Sequence, residues 1–220
     1  VNTDALESFA AGRPAKPEWA PPTLEGMDPG DYYGRQVFAF DPSLSGCAGV
    51  LLTFGLVWGK PQLKVLAAKK FTTSDHGAGG YEESLRKTLE LSHLIEDWVF
   101  TAAAGYVPSR IEFVHEGPPV GGGSLIRPEA TLLGGAALRF ALDRNDHLPP
   151  RCQPMVQPQT HKAFVCGPAA RKKGFNKKAH HAVLMPLAAS WGVQGLDLIT
   201  NADLRDALSV AVFQLSREKP

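Results

Sequence analysis

Three apolar segments follow one another between Gln36 and Phe71 before any helical pattern appears. "QVFAFD" runs straight into an acid at Asp41, "CAGVLLTFGLVW" comes next, and "QLKVLAAKKF" follows after the turn Gly59-Lys60-Pro61. Runs of this length, rich in Val, Leu and Phe and punctuated by Gly and Pro, read as strands. Connections so short allow consecutive strands to pair only antiparallel. The chain is thereby committed to a meander at the start of its ordered part.

Beyond the polar link "TTSDHGAGG" the period changes. From Tyr81 to about Ala104, the residues Leu85, Leu89, Leu94, Ile95, Trp98 and Val99 recur at helical spacing. "SRIEFVHE" reads as a fourth strand ending at Glu116, and the Gly-rich "GPPVGGGS" as a loop. Pro128 suits the first turn of a helix reaching about Leu142. "QPMVQP" reads as a fifth strand and "QTHKAFVCGPAARKKGFNKK" as a basic loop. A helix bent or offset at Pro186 covers about Ala179 to Trp191, and a last one, capped by Asn201, runs to about Ser216. The order β-β-β-α-β-α-β-α-α predicts an α/β fold, a mixed five-stranded sheet flanked by helices.

The 220 residues suit one such domain, spanning 35–220. Residues 1–34, rich in Pro, Gly and Ala, read as a loosely ordered arm, with a leader that is processed away as the alternative. Apolar residues make up 44%, enough for a real core, and no apolar run is long enough to span a bilayer. Cys47, Cys152 and Cys166 are widely spaced, with no CxxC and no secretory leader. They argue against a disulfide framework or structural zinc and for reduced thiols in a cytoplasm-like compartment.

The net charge of +1 excludes little; its distribution says more. From His147 to Gln194 there is no Asp or Glu, while Arg151, Lys162, Arg171, Lys172, Lys173, Lys177 and Lys178 fall in that stretch. Cations on an acid-free segment can neutralise phosphates and anchor register without reading bases. Phe175 in the same stretch is either a stacking platform for an unpaired base or a buried anchor.

Four acids stand in telling places. Asp41 and Glu116 each terminate an apolar strand, and a Pro follows closely. Asp203 and Asp206 open the last helix three residues apart, which puts them on one face. Strand ends opening onto loops are where α/β sheets build sites. Carboxylates so gathered repel unless a cation neutralises them, and Mg²⁺ is the hard, oxygen-seeking candidate. Two such ions about 3.5–4 Å apart serve in-line phosphoryl displacement. Singly, each acid has an ordinary explanation: Asp41-Pro42-Ser43 as a turn initiator, Asp203 as a helix-dipole partner.

Over roughly residues 36–217 the chain resembles the RuvC-type Holliday-junction resolvases of the RNase H-like superfamily. The resemblance lies in "FAFDPSLSGCAGVLL", "IEFVHEGPPVGGG" and "NADLRDALSVAVF". That family carries an Asp after the first strand, a Glu after the fourth, and a DxxDAL(A/S) pattern opening the final helix. Asp41, Glu116, Asp203 and Asp206 fall on these positions. The resemblance implies an RNase H-like nuclease domain and symmetric nicking of four-way junctions. It further implies two Mg²⁺ ions per site, with Mn²⁺ as substitute, and hydrolysis to 5′-phosphate and 3′-hydroxyl ends. It implies a homodimer, a branch-migration helicase as a partner, and a cytoplasmic or nucleoid-associated location, with phage or organellar origin open. Family members hold junction DNA through lysines ahead of the helix that follows the fifth strand, and Lys162 and Lys177 are the best counterparts.

Some features depart from the family or stay outside it. Ser43 replaces the Gly that usually follows Asp-Pro, and Gly46 and Gly49 offer backbone room instead. Ser43 and Ser45 either touch the scissile phosphate or cap the turn. His115 should face away from Glu116. Adjacent His180 and His181 should face different ways on their helix, in a DNA-facing or partly buried role. Gly121-Gly122-Gly123 lacks the Gly-Lys-Ser/Thr of a P-loop and reads as a flexible loop. Leu91, Leu94, Ile95 and Trp98 either form a dimer face or pack on the sheet. The competing functions are a junction-binding protein without cleavage, a nuclease for flaps, forks or RNA/DNA hybrids, and, most remotely, an ATP-using actin-like protein.

Overall fold

The structure is a computed structural model. It describes residues 35–43, 46–57, 60–75, 80–103, 111–117, 134–139, 141, 155–172 and 174–217. The expected arm, the Gly121–Gly123 loop, Pro128, Cys152, Ser45 and Lys173 lie outside these.

The meander is present as β1 (Arg35–Ser43), β2 (Gly46–Val57) and β3 (Lys60–Thr72). Helix α1 (Gly80–Ala103) leads to β4 (Ile111–His115), which pairs with β1 in parallel. Residues 134–139 are helical. Then come α2 (Pro158–Cys166), a 3₁₀ turn (Gly167–Arg171), α3 (Lys177–Ser190), β5 (Val193–Gln194) and α4 (Ala202–Arg217). The sheet order is β4-β1-β2-β3-β5, mixed and five-stranded as expected.

Two expectations need correction. "QPMVQP" is not the fifth strand: it contributes a single bridge, Val156 to Glu116, and the fifth strand is Val193–Gln194, parallel to β3. The prolines on either side of "MVQ" limit the ladder there, since Pro cannot donate to it. Nor is the basic segment all loop, because Pro158 starts helix α2 and Lys162 rides on it.

Both sheet faces are covered, and strand alternation assigns the layers. Phe38 and Phe40 point to the layer of α1, where Trp98 meets their rings edge-on at 5.4 and 5.9 Å. Val37 and Ala39 point to the layer of α3 and α4, with Leu184, Leu208 and Val212. Asp41 shares their parity, and Glu116 shares that of Val114 in the same layer. Leu91, Ile95 and Trp98 are buried in the α1 layer and Leu94 packs against it, so of their two readings packing on the sheet is the one the structure shows. The exposed apolar residues of α1 are Tyr81, Leu85, Leu89 and Phe100.

Two local features serve this arrangement. A Cβ on Gly49 would lie 2.7 Å from the Trp98 ring, so Gly49 makes room for that indole rather than for the Asp41 turn. In β3 the register against β2 shifts between Leu51 and Leu52, where Leu66 is the extra residue. Such a bulge reverses the facing of everything after it. Val65 faces the α4 layer, Phe71 the α1 layer, and Lys70 therefore the acids.

Candidate metal centre

Each acid is placed by its element. β1 continues past Asp41 to Ser43, whose hydroxyl donates to the Gly46 carbonyl, so Asp41 sits within the β1–β2 ladder, opposite Ala48, rather than initiating a turn. Glu116 follows β4, held by its N–H to the Phe40 carbonyl at 2.9 Å. On α4 the Asn201 side chain accepts from the N–H groups of Asp203 and Leu204, both at 3.0 Å, fixing the first turn. Asp206 is buried and Asp203 sits at the rim.

Asp41, Glu116 and Asp206 each bring a carboxylate oxygen within 4.8 Å of the others. Asp203 joins them through lysines. Lys177 Nζ lies 2.7 Å from Asp206, 2.9 Å from Asp203 and 3.8 Å from Asp41. Lys70 Nζ is 2.8 Å from Asp203, and Lys162 Nζ is 3.6 Å from Glu116. These residues line a cleft of about 520 Å³ together with Pro42, Ser43, Gly117 and Pro158.

The electrostatics show an excess of negative charge at the centre. Burial, then Glu116 and Asp206, push the Asp41 carboxyl up to about 8, despite the pull of Lys177. Asp206 goes the other way: burial disfavours its charge, but His180, His181 and Lys177 outweigh that and hold it well below the usual range. Asp203 is also burdened by partial burial, yet Lys70 and Lys177 lower it. Lys177 itself is desolvated, but its bonds to Asp206 and Asp203 raise it above the ordinary lysine value. A carboxyl that keeps its proton so far up the pH scale beside two others is a place that lacks positive charge. A hard divalent cation fits this oxygen donor set and remedies that lack.

The histidines form a group that the sequence did not reveal. His181 Nε2 is 2.8 Å from Asp206 Oδ1, and His180 Nδ1 is 3.3 Å from the same oxygen. The two rings therefore do not diverge, as their adjacency on a helix suggested; both close around one carboxylate. His161 Nε2 approaches Glu116 at 3.5 Å, and Ser209 Oγ lies between His161 and His180. A second cluster that could hold a metal consists of His180, His181 and Asp206. At 2.8 Å His181 is already hydrogen-bonded to the carboxylate, so we read these rings as supports of Asp206 rather than ligands. His115 faces the other layer, where its ring lies against Gly135.

Of the cations expected at DNA, Lys162 and Lys177 turn into the cleft. Arg171, Lys172 and Lys178 are exposed on the 3₁₀ turn, just after it, and at the start of α3. Phe175 packs, partly buried, against the core, which is the anchor alternative of its two readings. Lys70, His161, His180, His181 and Ser209 are the site-adjacent residues that sequence reasoning missed or left unassigned. Their contacts span from 25 to 133 residues of sequence and carry no spacing signal.

The mixed five-stranded sheet flanked by helices has the RNase H-like fold of its structural neighbours. Its structural neighbours include the Thermus thermophilus RuvC structure, with a TM-score of 0.53 and 12% identity over 81% of this chain and 92% of that one. Another is T. thermophilus RuvC in complex with a Holliday junction substrate, at 0.53 and 14%, over 84% of this chain and 99% of that one. The yeast mitochondrial Holliday junction resolvase Ydc2 aligns at a TM-score of only 0.44 with 11% identity, over 97% of this chain and 84% of that one. No family model matches the sequence. No curated protein matches it either.

Proposed function

We propose that the chain is a metal-dependent endonuclease for branched DNA, most specifically one that nicks four-way junctions symmetrically. The observation that carries this reading is the convergence of Asp41, Glu116 and Asp206 within 4.8 Å, in a cleft edged by Lys70, Lys162 and Lys177. The RuvC-like fold supports it.

Asp41, Glu116 and Asp206 would hold Mg²⁺ or Mn²⁺, with Asp203 at the rim completing the set for a pair. When bound, these cations supply Lewis acidity at the phosphoryl oxygens and lower the pKa of water. The chain does the rest. Lys177 balances Asp203 and Asp206 before DNA arrives; as point charges, Lys177, Lys70 and Lys162 suit phosphate oxygens entering the cleft. Arg171, Lys172 and Lys178 extend the phosphate-binding surface on the outside. Asp41 must give up its proton for the centre to fill.

Paired nicks across a two-fold-related junction call for two centres, so the proposal includes a homodimer. Cleavage of a labelled synthetic four-way junction in Mg²⁺, beside flap, fork, RNA/DNA hybrid and linear duplex, tests the substrate. Symmetric paired nicks confined to the junction are expected. Preferred cutting of flaps, forks or hybrids would keep the chemistry and overturn the junction assignment. Sedimentation should give a dimer, and a monomer with and without junction DNA would remove that part.

A further inference from the structure

Behind the carboxylates a run of buried polar groups reaches from one side of the centre to the other. His161 Nε2 is 3.5 Å from Glu116 Oε2, and its Nδ1 is 2.8 Å from the Ser209 hydroxyl. That hydroxyl is 3.1 Å from His180 Nε2, and His180 Nδ1 is 3.3 Å from Asp206 Oδ1. His161, His180 and Ser209 are fully buried. Polar groups in such places cost free energy unless partnered, and apolar residues would fill the space more cheaply. What these three have in common is that they lie between two carboxylates of one centre, with His161 Nε2 and His180 Nδ1 approaching Glu116 and Asp206 without completing a hydrogen bond to them.

Ser209 has one hydroxyl proton and faces two ring nitrogens. It donates to one and must accept from the other. If it donates to His161 Nδ1, His161 carries its proton on Nε2, and His180 must also carry Nε2–H to donate to Ser209. If it donates to His180 Nε2, both rings carry Nδ1–H. Neutral rings in this run therefore share a tautomer. In the first case Glu116 faces an N–H and Asp206 a lone pair; in the second the assignments reverse. What Glu116 faces in His161 and what Asp206 faces in His180 are thus linked, beside the separate contacts of Asp206 with His181 and Lys177 and of Glu116 with Lys162.

Resting on the metal-centre reading above, we propose that Ser209 is a positioning residue that matches the tautomers of His161 and His180. It thereby couples the orientation of Glu116 to that of Asp206 where both receive a divalent cation. Ser209 touches neither carboxylate, so its effect on the centre passes through the two rings. Groups that orient ligands from behind typically change metal affinity by about 10–100-fold when removed.

The test uses the full chain without DNA. Ring ¹⁵N spectra of the wild type at pH 8 assign the tautomers of His161 and His180. Calorimetric titration with Mn²⁺ compares the wild type, Ser209→Ala and Asp206→Asn. The same tautomer in both rings, with Mn²⁺ affinity weakened about tenfold or more in a folded Ser209→Ala, is the expected result. Opposite tautomers, a doubly protonated ring, or wild-type affinity in Ser209→Ala overturns the coupling. If Ser209→Ala does not fold, the wild-type spectra alone still decide. A wild type that binds no Mn²⁺ removes the metal-centre reading and the coupling with it. Binding that is lost in Asp206→Asn but unchanged in Ser209→Ala removes only the coupling.

Discussion

At the scale of single residues, Asp41 concentrates the tension of the centre. Its carboxyl is pushed from 3.8 to about 8 by burial and by Glu116 and Asp206. An acid whose folded-state pKa is raised holds its proton more tightly when folded than when unfolded. Its contribution to stability is therefore greatest at low pH and is lost as pH climbs from about 4 to about 8. In EDTA, Asp41→Asn, which cannot ionise, should gain Tm relative to the wild type as pH rises through that window. A Tm difference that stays flat with pH would show that Asp41 ionises freely in the folded protein. The four acids were legible in the sequence because each occupies a position with a local signature: a strand end before a proline, or a helix start after an N-cap. The partners of those acids were not. Lys70 lies 133 residues from Asp203, and only the bulge in β3 turns it toward the acids. His180 and His181 were visible as a pair, but helix periodicity sends adjacent residues apart. It cannot foresee a carboxylate seated between the two rings.

At the scale of elements, the site depends on how α4 begins. Asp203 and Asp206 lie in its first turns, and Asn201 fixes that end by accepting two N–H groups at 3.0 Å. Asn201→Ala should cost about 1 kcal/mol in stability, read by denaturant unfolding. It should also weaken Mn²⁺ binding, because the cap orients the turn that carries both acids. A stability loss with unchanged metal affinity would mean that the packing of α4 alone sets their geometry. The meander, the long helix and the last helix were predicted from periodicity within a few residues. The fifth strand was misplaced because its two residues, Val193–Gln194, carry too little pattern to be seen, whereas "QPMVQP" carries a convincing one and makes only a bridge. Helix α2 was hidden because it is short and leads straight into the basic run from Arg171 to Lys178, although Pro158 marked its first turn.

At the scale of the whole molecule, the sheet separates two tasks. The α1 layer, built on Phe38, Phe40, Trp98 and Phe113, is an aromatic core without acids of the centre. The opposite layer carries the acids, the histidines and the lysines. A near-neutral chain can thus present a basic surface locally, since Arg171, Lys172 and Lys178 stand exposed in a stretch free of acids. If these residues contact phosphates, Lys172→Ala and Lys178→Ala should each lower the salt dependence of junction binding by about one unit of slope. Unchanged slopes would place the DNA elsewhere on the molecule.

The central claim is that the converging carboxylates form a metal centre that cuts branched DNA. The most direct measurement is single-turnover cleavage of a labelled four-way junction by the wild type and Asp41→Asn. It would be run in Mg²⁺ and in EDTA, with binding followed in parallel by gel shift. The account predicts nicks only for the wild type in Mg²⁺, and junction binding by both proteins. Tight binding without cutting in Mg²⁺ or Mn²⁺, or equal cutting by Asp41→Asn, would contradict it.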